Sequence, residues 1–381
     1  MNFDFSEEQQ MLKDSVARFV QDEYDFETRR KHADSADGFS RENWKTFADL
    51  GWLSIPFSEA HGGFDGGAAG TMVVMEELGK GLVVEPFVAT VLTFGGLLSK
   101  SGNAALQDAH IGQIIEGNLQ GAFGYLERQS RFEMADVKTS ATAQGDGFVI
   151  NGEKTLVANG SVADKIIVSA RTSGEQSDEQ GISLFLIDAN AEGVERTSVR
   201  LMDGQLVANI KLTNVSVAAD QLVGELSQGF GLMKAVTNEV MVALCGEALG
   251  IMQKLNTTTV EYAKTREQFG VKIGSFQALQ HRMVDMFMAC EQAKSLLYRA
   301  VCSMDDGAQD AVEVEKNILA LKVMVGRSGK LIGGEAIQMH GGMGITDELD
   351  VGHYAKRLMM INTTFGDADY QQQKFAALSN A

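Results

Sequence analysis

FVINGEKTLVANGSVADKIIVSART, residues 148–172, decides the fold class, because its apolar residues recur in short β-branched runs and not at helical spacing. Asn-Gly at 151–152 and 159–160, with Gly-Asp just before at 145–146, punctuate those runs as turn pairs. GISLFLIDA (181–189) and NIKLTNVSV (209–217) carry the strand pattern onward. The spacing predicts an all-β module over residues 119–225, the size of one small domain.

On both sides of this module the period changes. Residues 1–118 read as helical: Ser6 before Glu7 and Glu8 is a helix-start signal, and Met11, Val16, Phe19 and Val20 follow at helical spacing. HGGFDGGAAG (61–70) interrupts that pattern before TMVVMEELGKGL (71–82). With no Lys-Ser or Lys-Thr after its glycines, it is expected to be a flexible connector and not a phosphate loop. Residues 226–381 return to long Met- and Ala-rich helices, such as EVMVALCGEALGIMQKL (239–255) and VEKNILALKVMVGRSGKLIGGEAIQMH (314–340). No fixed-period repeat runs through them. Helix, strand, helix defines an α+β protein: an N-terminal helical domain, a middle β-sandwich or barrel, and a C-terminal helical domain.

Composition narrows the partners. Eighteen Met and two Pro in 381 residues suit a mostly helical chain, and 44% hydrophobic with 22% charged residues is ordinary globular usage. A net charge of −18 argues against nucleic acid or an anionic membrane as the main partner, while leaving room for a local basic site. Cys245, Cys290 and Cys302 lack metal-type spacing and read as reduced core thiols; no metal is expected. The first residues lack a signal-peptide pattern, and no apolar run reads as membrane-spanning, so a cytoplasmic location is expected.

TREQFGVKIGSFQALQHRMVDM (265–286) and IQMHGGMGITDEL (337–349) then bring a family into view. The first is similar to the Arg-x-x-Phe-Gly segment of the acyl-CoA dehydrogenases and the second to their Gln-x-x-Gly-Gly-x-Gly turn. GDGFVINGEKTLVANG (145–160) and LGWLSIPFSEAHGG (50–63) add weaker support. The resemblance covers almost the whole chain and is nearest to small subunits described as pimeloyl-CoA or steroid side-chain dehydrogenases. It implies a C-terminal four-helix bundle, FAD as cofactor, an acyl-CoA substrate, an electron-transfer flavoprotein or similar acceptor, and a homo- or hetero-oligomer, a tetramer. It also implies that Arg266, Phe269, Gln277, Gln338, Gly341 and Gly342 hold the ADP half of FAD, partly across a subunit interface. The chemistry of these residues agrees: Arg offers a forked, permanently charged donor, and paired glycines let backbone N–H groups approach phosphate oxygens. His281 and His340 are expected to be structural.

The implied reaction is α,β-dehydrogenation, with a proton leaving Cα and hydride passing from Cβ to flavin N5. A carboxylate must take that proton. Where the family carries Tyr-Glu-Gly-Thr this chain reads Thr364-Phe365-Gly366-Asp367, and the alternative position on the preceding helix is Val240. Three acids stand near those places. Glu239 is adjacent to Val240, Asp367 follows Phe365 by two, and Glu247 lies seven residues past Val240 on the same helix face, about 10 Å along the axis. Glu247, in the apolar VALCGEALG, is the preferred base; equally, it is a buried acid satisfied by an Arg, a Lys or a backbone group. The family's Thr-Glu-Pro and Trp-Ile-Thr segments are replaced by YLERQSRFEMADV and by Leu156-Val157-Ala158, so a hydroxyl toward the flavin edge is missing. A non-catalytic or half-site subunit of a heteromeric dehydrogenase is the alternative, and an oxidase or monooxygenase a third reading.

Overall fold

The computed structural model describes residues 5–380. In chain order the helices are α1 (Glu7–Glu23), α2 (Phe26–Asp34), α3 (Arg41–Asp49), α4 (Gly67–Lys80), α5 (Gly96–Ser99) and α6 (Ala104–Ile115). Strands follow: β1 (Gly121–Gly124), β2 (Ser140–Gln144), β3 (Gly147–Ala158), β4 (Lys165–Arg171), β5 (Ile182–Asp188), β6 (Val194–Arg200), β7 (Leu206–Ala218) and β8 (Leu222–Val223). The chain then runs through α7 (Gly229–Thr265), the short hairpin β9 (Glu267–Gln268) and β10 (Val271–Lys272), α8 (Gln277–Asp305), α9 (Ala311–His340), α10 (Asp350–Thr363) and α11 (Ala368–Asn380). A π-helix, Phe87–Gly95, precedes α5.

Compactness divides the chain differently from its run of helix, strand and helix. One unit gathers the described residues up to Arg30, Gly67–Val83 and the chain from Met241; the other holds Lys31–Gly66 and Val84–Val240. The N-terminal helices are therefore divided between the units, because α1 packs on α4 and α4 packs on α8.

In the second unit β6-β7-β3-β2-β4-β5-β8 form one path, with β1 parallel to β4. The two halves of that path join at a single pair, Ser140 with Arg171. Ile150, Ala208 and Ile210 from one half and Ile166, Val168 and Phe185 from the other share one core. Asn-Gly at 151–152 is not a turn: Gly152 interrupts the β3–β7 register as a bulge, and the β2–β3 hairpin turns at Gly145-Asp146 instead. The long ladder with β7 overrides the local dipeptide signal.

In the first unit Ser6 and Gln9 form a capping box at the start of α1, as the Ser-Glu-Glu signal predicts. Val16 and Phe19 are buried, but Met11 is exposed. The glycine-rich stretch is not all connector, since Gly67 opens α4 and the Asp305 carboxylate accepts from Ala68 N and Ala69 N at 2.9 and 3.0 Å. α4 and α7 meet backbone to backbone: a Cβ at Gly79 would lie 2.2 Å from Glu247 O, and one at Gly250 1.9 Å from Glu76 O. α7 itself, 37 residues long, is long and apolar enough to cross a bilayer, contrary to the sequence reading; its most apolar window is 83% buried within the protein, which makes it a core helix. The C-terminal helices number five among the described residues, with α10 and α11 much shorter than α7, α8 and α9.

Candidate active site

Two places in the first unit carry chemistry: the end of the bundle where α7 and α9 finish, and the turn between α10 and α11.

At the bundle end, Tyr262 stacks on His340 with ring centroids 4.3 Å apart. Arg266 lies one turn beyond Tyr262 and Gly341 next to His340, so the stack brings the ends of α7 and α9 together. Arg282 pairs with Glu335, which ties the start of α8 to the last turns of α9 and sets Gln277 and Gln338 at the same end. Arg266, Gln277 and Gln338 are exposed, and their side chains have no hydrogen-bond or ionic partner among the described residues. Phe269 is 91% exposed in a left-handed conformation (φ 55°) at the tip of the β9–β10 hairpin, edge-on to Phe276. Gly341 has φ 63°, and a Cβ at Gly341 or Gly342 would meet nothing within 4 Å. Unspent cationic and amide donors, an open glycine backbone and a bare aromatic ring suit a diphosphate joined to a flat heterocycle, so the residues fit the ADP portion of FAD. His340 is buried with Nδ1 at 2.8 Å from Ala336 O, and His281 is exposed, in keeping with structural roles.

The three nominated acids are each engaged. Glu247 is 5% exposed and receives both arms of Arg357, Nε at 2.5 Å and Nη2 at 2.8 Å. Arg357, on α10, is itself buried, so a bidentate pair joins α7 to α10 inside the bundle. The preference for Glu247 as a free base therefore gives way to its second reading, an acid satisfied by an Arg, because both carboxylate oxygens already face a fixed cation. Asp367 accepts from Tyr370 N at 2.9 Å and caps α11. Glu239, in the other unit, pairs with Lys100 at 3.0 Å and is half exposed.

The turn beside Phe365 is held more tightly than a helix end requires. Phe365 and Gly366 are both left-handed, at φ 58° and 108°. Lys322, fully buried on α9, donates to Ile361 O and to Asn362 O (3.2 Å), the last carbonyls of α10. Burial pushes its ammonium down to about 8; Asp367 and Cys245 favour the charge and Arg357 opposes it. Gln371, 1% exposed on α11, donates from Nε2 to Phe365 O at 2.6 Å. Gly366 has no room for a side chain, since a Cβ would lie 2.4 Å from the Tyr370 ring. Neither Lys322 nor Gln371 emerges from the sequence. Lys322 sits in ALKVMV as any helix lysine does, and Gln371 opens the run QQQK.

The second unit holds one more buried ionic centre that sequence reasoning passed over. Lys154, fully buried on β3, donates to Glu127 Oε1 at 2.7 Å and to Ser169 Oγ at 3.0 Å. Glu127 also accepts from Lys138 N, Thr139 N and Gln129 Nε2, which folds YLERQSRFEMADV into a compact loop. Lys154 lies in a segment that resembles the family and Glu127 in one that departs from it, so neither residue announces the other. Just beyond Lys154, Leu156 is left-handed (φ 52°) and half exposed at a β-bulge, its N–H bound by Asn209 Oδ1 at 3.1 Å. Val157 turns into the core.

Comparison with known proteins agrees with this architecture. Three family models match in succession: the acyl-CoA dehydrogenase N-terminal domain over residues 6–118, the middle domain over 122–215 and the C-terminal domain over 227–377. A probable acyl-CoA dehydrogenase of Bacillus subtilis is 29% identical, with 98% of each chain covered. A subunit of the caffeyl-CoA reductase-Etf complex of Acetobacterium woodii is 25% identical, again over 98% of each chain. The solved FAD complex of PigA superposes with a TM-score of 0.92 at 27% identity, covering 100% of this chain and 99% of that one. Fold and site thus define a flavoprotein oxidoreductase that acts on CH–CH bonds. The chain belongs to the acyl-CoA dehydrogenase family, and its cofactor is FAD.

Proposed function

We propose that this protein catalyses the α,β-dehydrogenation of an acyl-CoA thioester in the cytoplasm, as a subunit of a tetramer, and passes electrons to an electron-transfer flavoprotein or similar acceptor. The observation that carries the reading is the set of unspent donors at the bundle end, Arg266, Gln277 and Gln338 beside Gly341 and Gly342. Arg266 and the glycine backbone would hold the diphosphate, Phe269 would lie along the adenosine, and Gln277 and Gln338 would bind its polar edges. The exposure of Phe269 supports completion of that site by a second subunit, because a ring 91% open to water costs little to cover. Bound FAD would take the hydride that leaves the β-carbon. This chain's own part is to grip the cofactor tail and to set the backbone beside Phe365, which lacks a carboxylate to take the α-proton.

The engagement of Glu247, Asp367 and Glu239 also favours a second reading, in which a partner subunit of different sequence supplies that carboxylate. One experiment separates the two. The purified chain is titrated with a panel of acyl-CoAs, including pimeloyl and steroid side-chain thioesters, while flavin absorbance is followed. Bleaching by the isolated chain supports the self-contained enzyme. FAD-loaded protein that bleaches only when co-expressed with a second subunit supports the heteromer. A folded oligomer that takes up no FAD at all counts against both.

A further inference from the structure

The donors at the bundle end sit on two helices, so a grip on one diphosphate requires that the ends of α7 and α9 keep a fixed separation. Arg266 follows the last turn of α7: its N–H donates to Tyr262 O at 2.9 Å, and its carbonyl accepts from Ile273 N at 2.9 Å. Those bonds set its backbone within its own segment and not its distance from the glycines. Gly341 and Gly342 follow His340, the last residue of α9. The turn folds back on that residue, since a Cβ at Gly344 would lie 2.6 Å from Ile337 O and 3.1 Å from the His340 Cβ. His340 is 3% exposed, and Nδ1–H must donate to Ala336 O at 2.8 Å, because a carbonyl only accepts; the imidazole plane is thereby held to its own helix. Tyr262 lies on that plane with ring centroids 4.3 Å apart and the rings inclined by 28°. Its hydroxyl reaches His340 O only at 3.5 Å, so the rings make the contact.

The stack thus joins the residue one turn before Arg266 to the residue before Gly341. The Arg282–Glu335 pair does not do the same, since it links α8 to α9 and leaves α7 out. Two flat faces in contact set the spacing of the backbones that carry them, and a donor about 1 Å out of place no longer meets its ligand well. We infer that Tyr262 and His340 are positioning residues for FAD: their stack holds Arg266 at the separation from Gly341 and Gly342 that one diphosphate spans. Both act through those residues. This deepens the reading of the bundle end as the cofactor site and rests on it.

The test follows FAD release from the purified, FAD-loaded protein, diluted in steps while free flavin is read by its fluorescence. Arg266→Met removes one charged contact to the diphosphate and is expected to weaken FAD binding about tenfold or more. Tyr262→Leu, which removes the stack, is expected to weaken it about tenfold as well, and Tyr262→Phe, which keeps the ring, to stay within about twofold of the parent. The double variant Y262L/R266M separates positioning from plain stabilisation. Acting through Arg266, the stack has little left to lose, and the double binds FAD within about threefold of R266M alone; a stack that only stabilises the fold multiplies the two losses. His340→Asn, which retains a donor for Ala336 O without the ring, repeats the measurement should Y262L fail to fold. Multiplied losses, parent-like affinity in the stack variants, or a Y262F loss as large as that of Y262L overturns the inference and leaves the cofactor site standing. An R266M protein that holds FAD as tightly as the parent overturns the site itself and the inference with it, as does a parent that takes up no FAD.

Discussion

Each compact unit buries one lysine completely, and the two are satisfied in opposite ways. Lys154, among the strands, faces a carboxylate, with Glu127 at 2.7 Å. Lys322, among the helices, faces backbone carbonyls at the end of α10, and Glu247, a buried carboxylate of the same unit, is held by Arg357. Desolvation lowers both ammonium groups to about 8, the attraction of Glu127 offsetting part of the loss for Lys154. Burial would raise Glu127, yet the charge and hydrogen bond of Lys154, with those of Gln129 and Thr139, bring it down to about 2. The sheet solves burial by neutralising the charge. The bundle solves it with the partial negative charge of a helix end, which works because α10 stops where Lys322 can reach its last carbonyls. An ion pair is therefore the stiffer dependence: remove one member and the other is stranded.

The largest effects should come from stranding a charge. Glu127→Gln, which removes the carboxylate facing Lys154, and Glu247→Gln, which removes the anion held by both arms of Arg357, should each cost about 3–5 kcal/mol in urea unfolding. Adding Lys154→Met to E127Q should recover most of that loss; if it does not, Glu127 acts mainly through Lys138 N and Thr139 N. Lys322→Met should cost less, about 1–3 kcal/mol, because two hydrogen bonds vanish together with a buried charge. A loss as large as that of E127Q would erase the distinction between the two lysines.

pH sharpens the contrast. For a lysine whose folded pKa is lowered from 10.5 to about 8, the unfolded chain holds more protons between those values, so stability rises with pH across that window. For Lys322 the rise amounts to about 3 kcal/mol, and K322M should remove it, as read from the difference between variant and parent denaturation curves at pH 8 and 10.5. Glu127 works at the other end. Its folded pKa lies below the ordinary value of 4.5, so its contribution is complete above that value and is lost as pH falls toward 2. The smallest stability effect belongs to Arg266→Met, within about 0.5 kcal/mol, since its exposed side chain has no hydrogen-bond or ionic partner among the described residues; FAD content per subunit should nevertheless fall.

The change from helix to strand and back was readable because hydrophobic period is a local property, set by how adjacent residues place their side chains along a helix or a pleat. The residues proposed to hold the cofactor, from Arg266 to Gly342, could be nominated from short runs that resemble the family, because their chemistry does not depend on distant partners. Asn151-Gly152 misled because a two-residue turn preference yields to a ladder with β7. The three acids could be nominated but not assigned. Arg357 lies 110 positions from Glu247, and nothing near either residue announces the other.

By itself, then, the sequence determined the order of elements and the family, and it nominated the residues proposed to grip a dinucleotide. Tertiary structure alone decided which carboxylates are spent and that Lys322 reaches the last carbonyls of α10. Burial turns an ordinary polar residue into a costly one, and which residues are buried together depends on packing between segments as far apart as the 110 positions from Glu247 to Arg357.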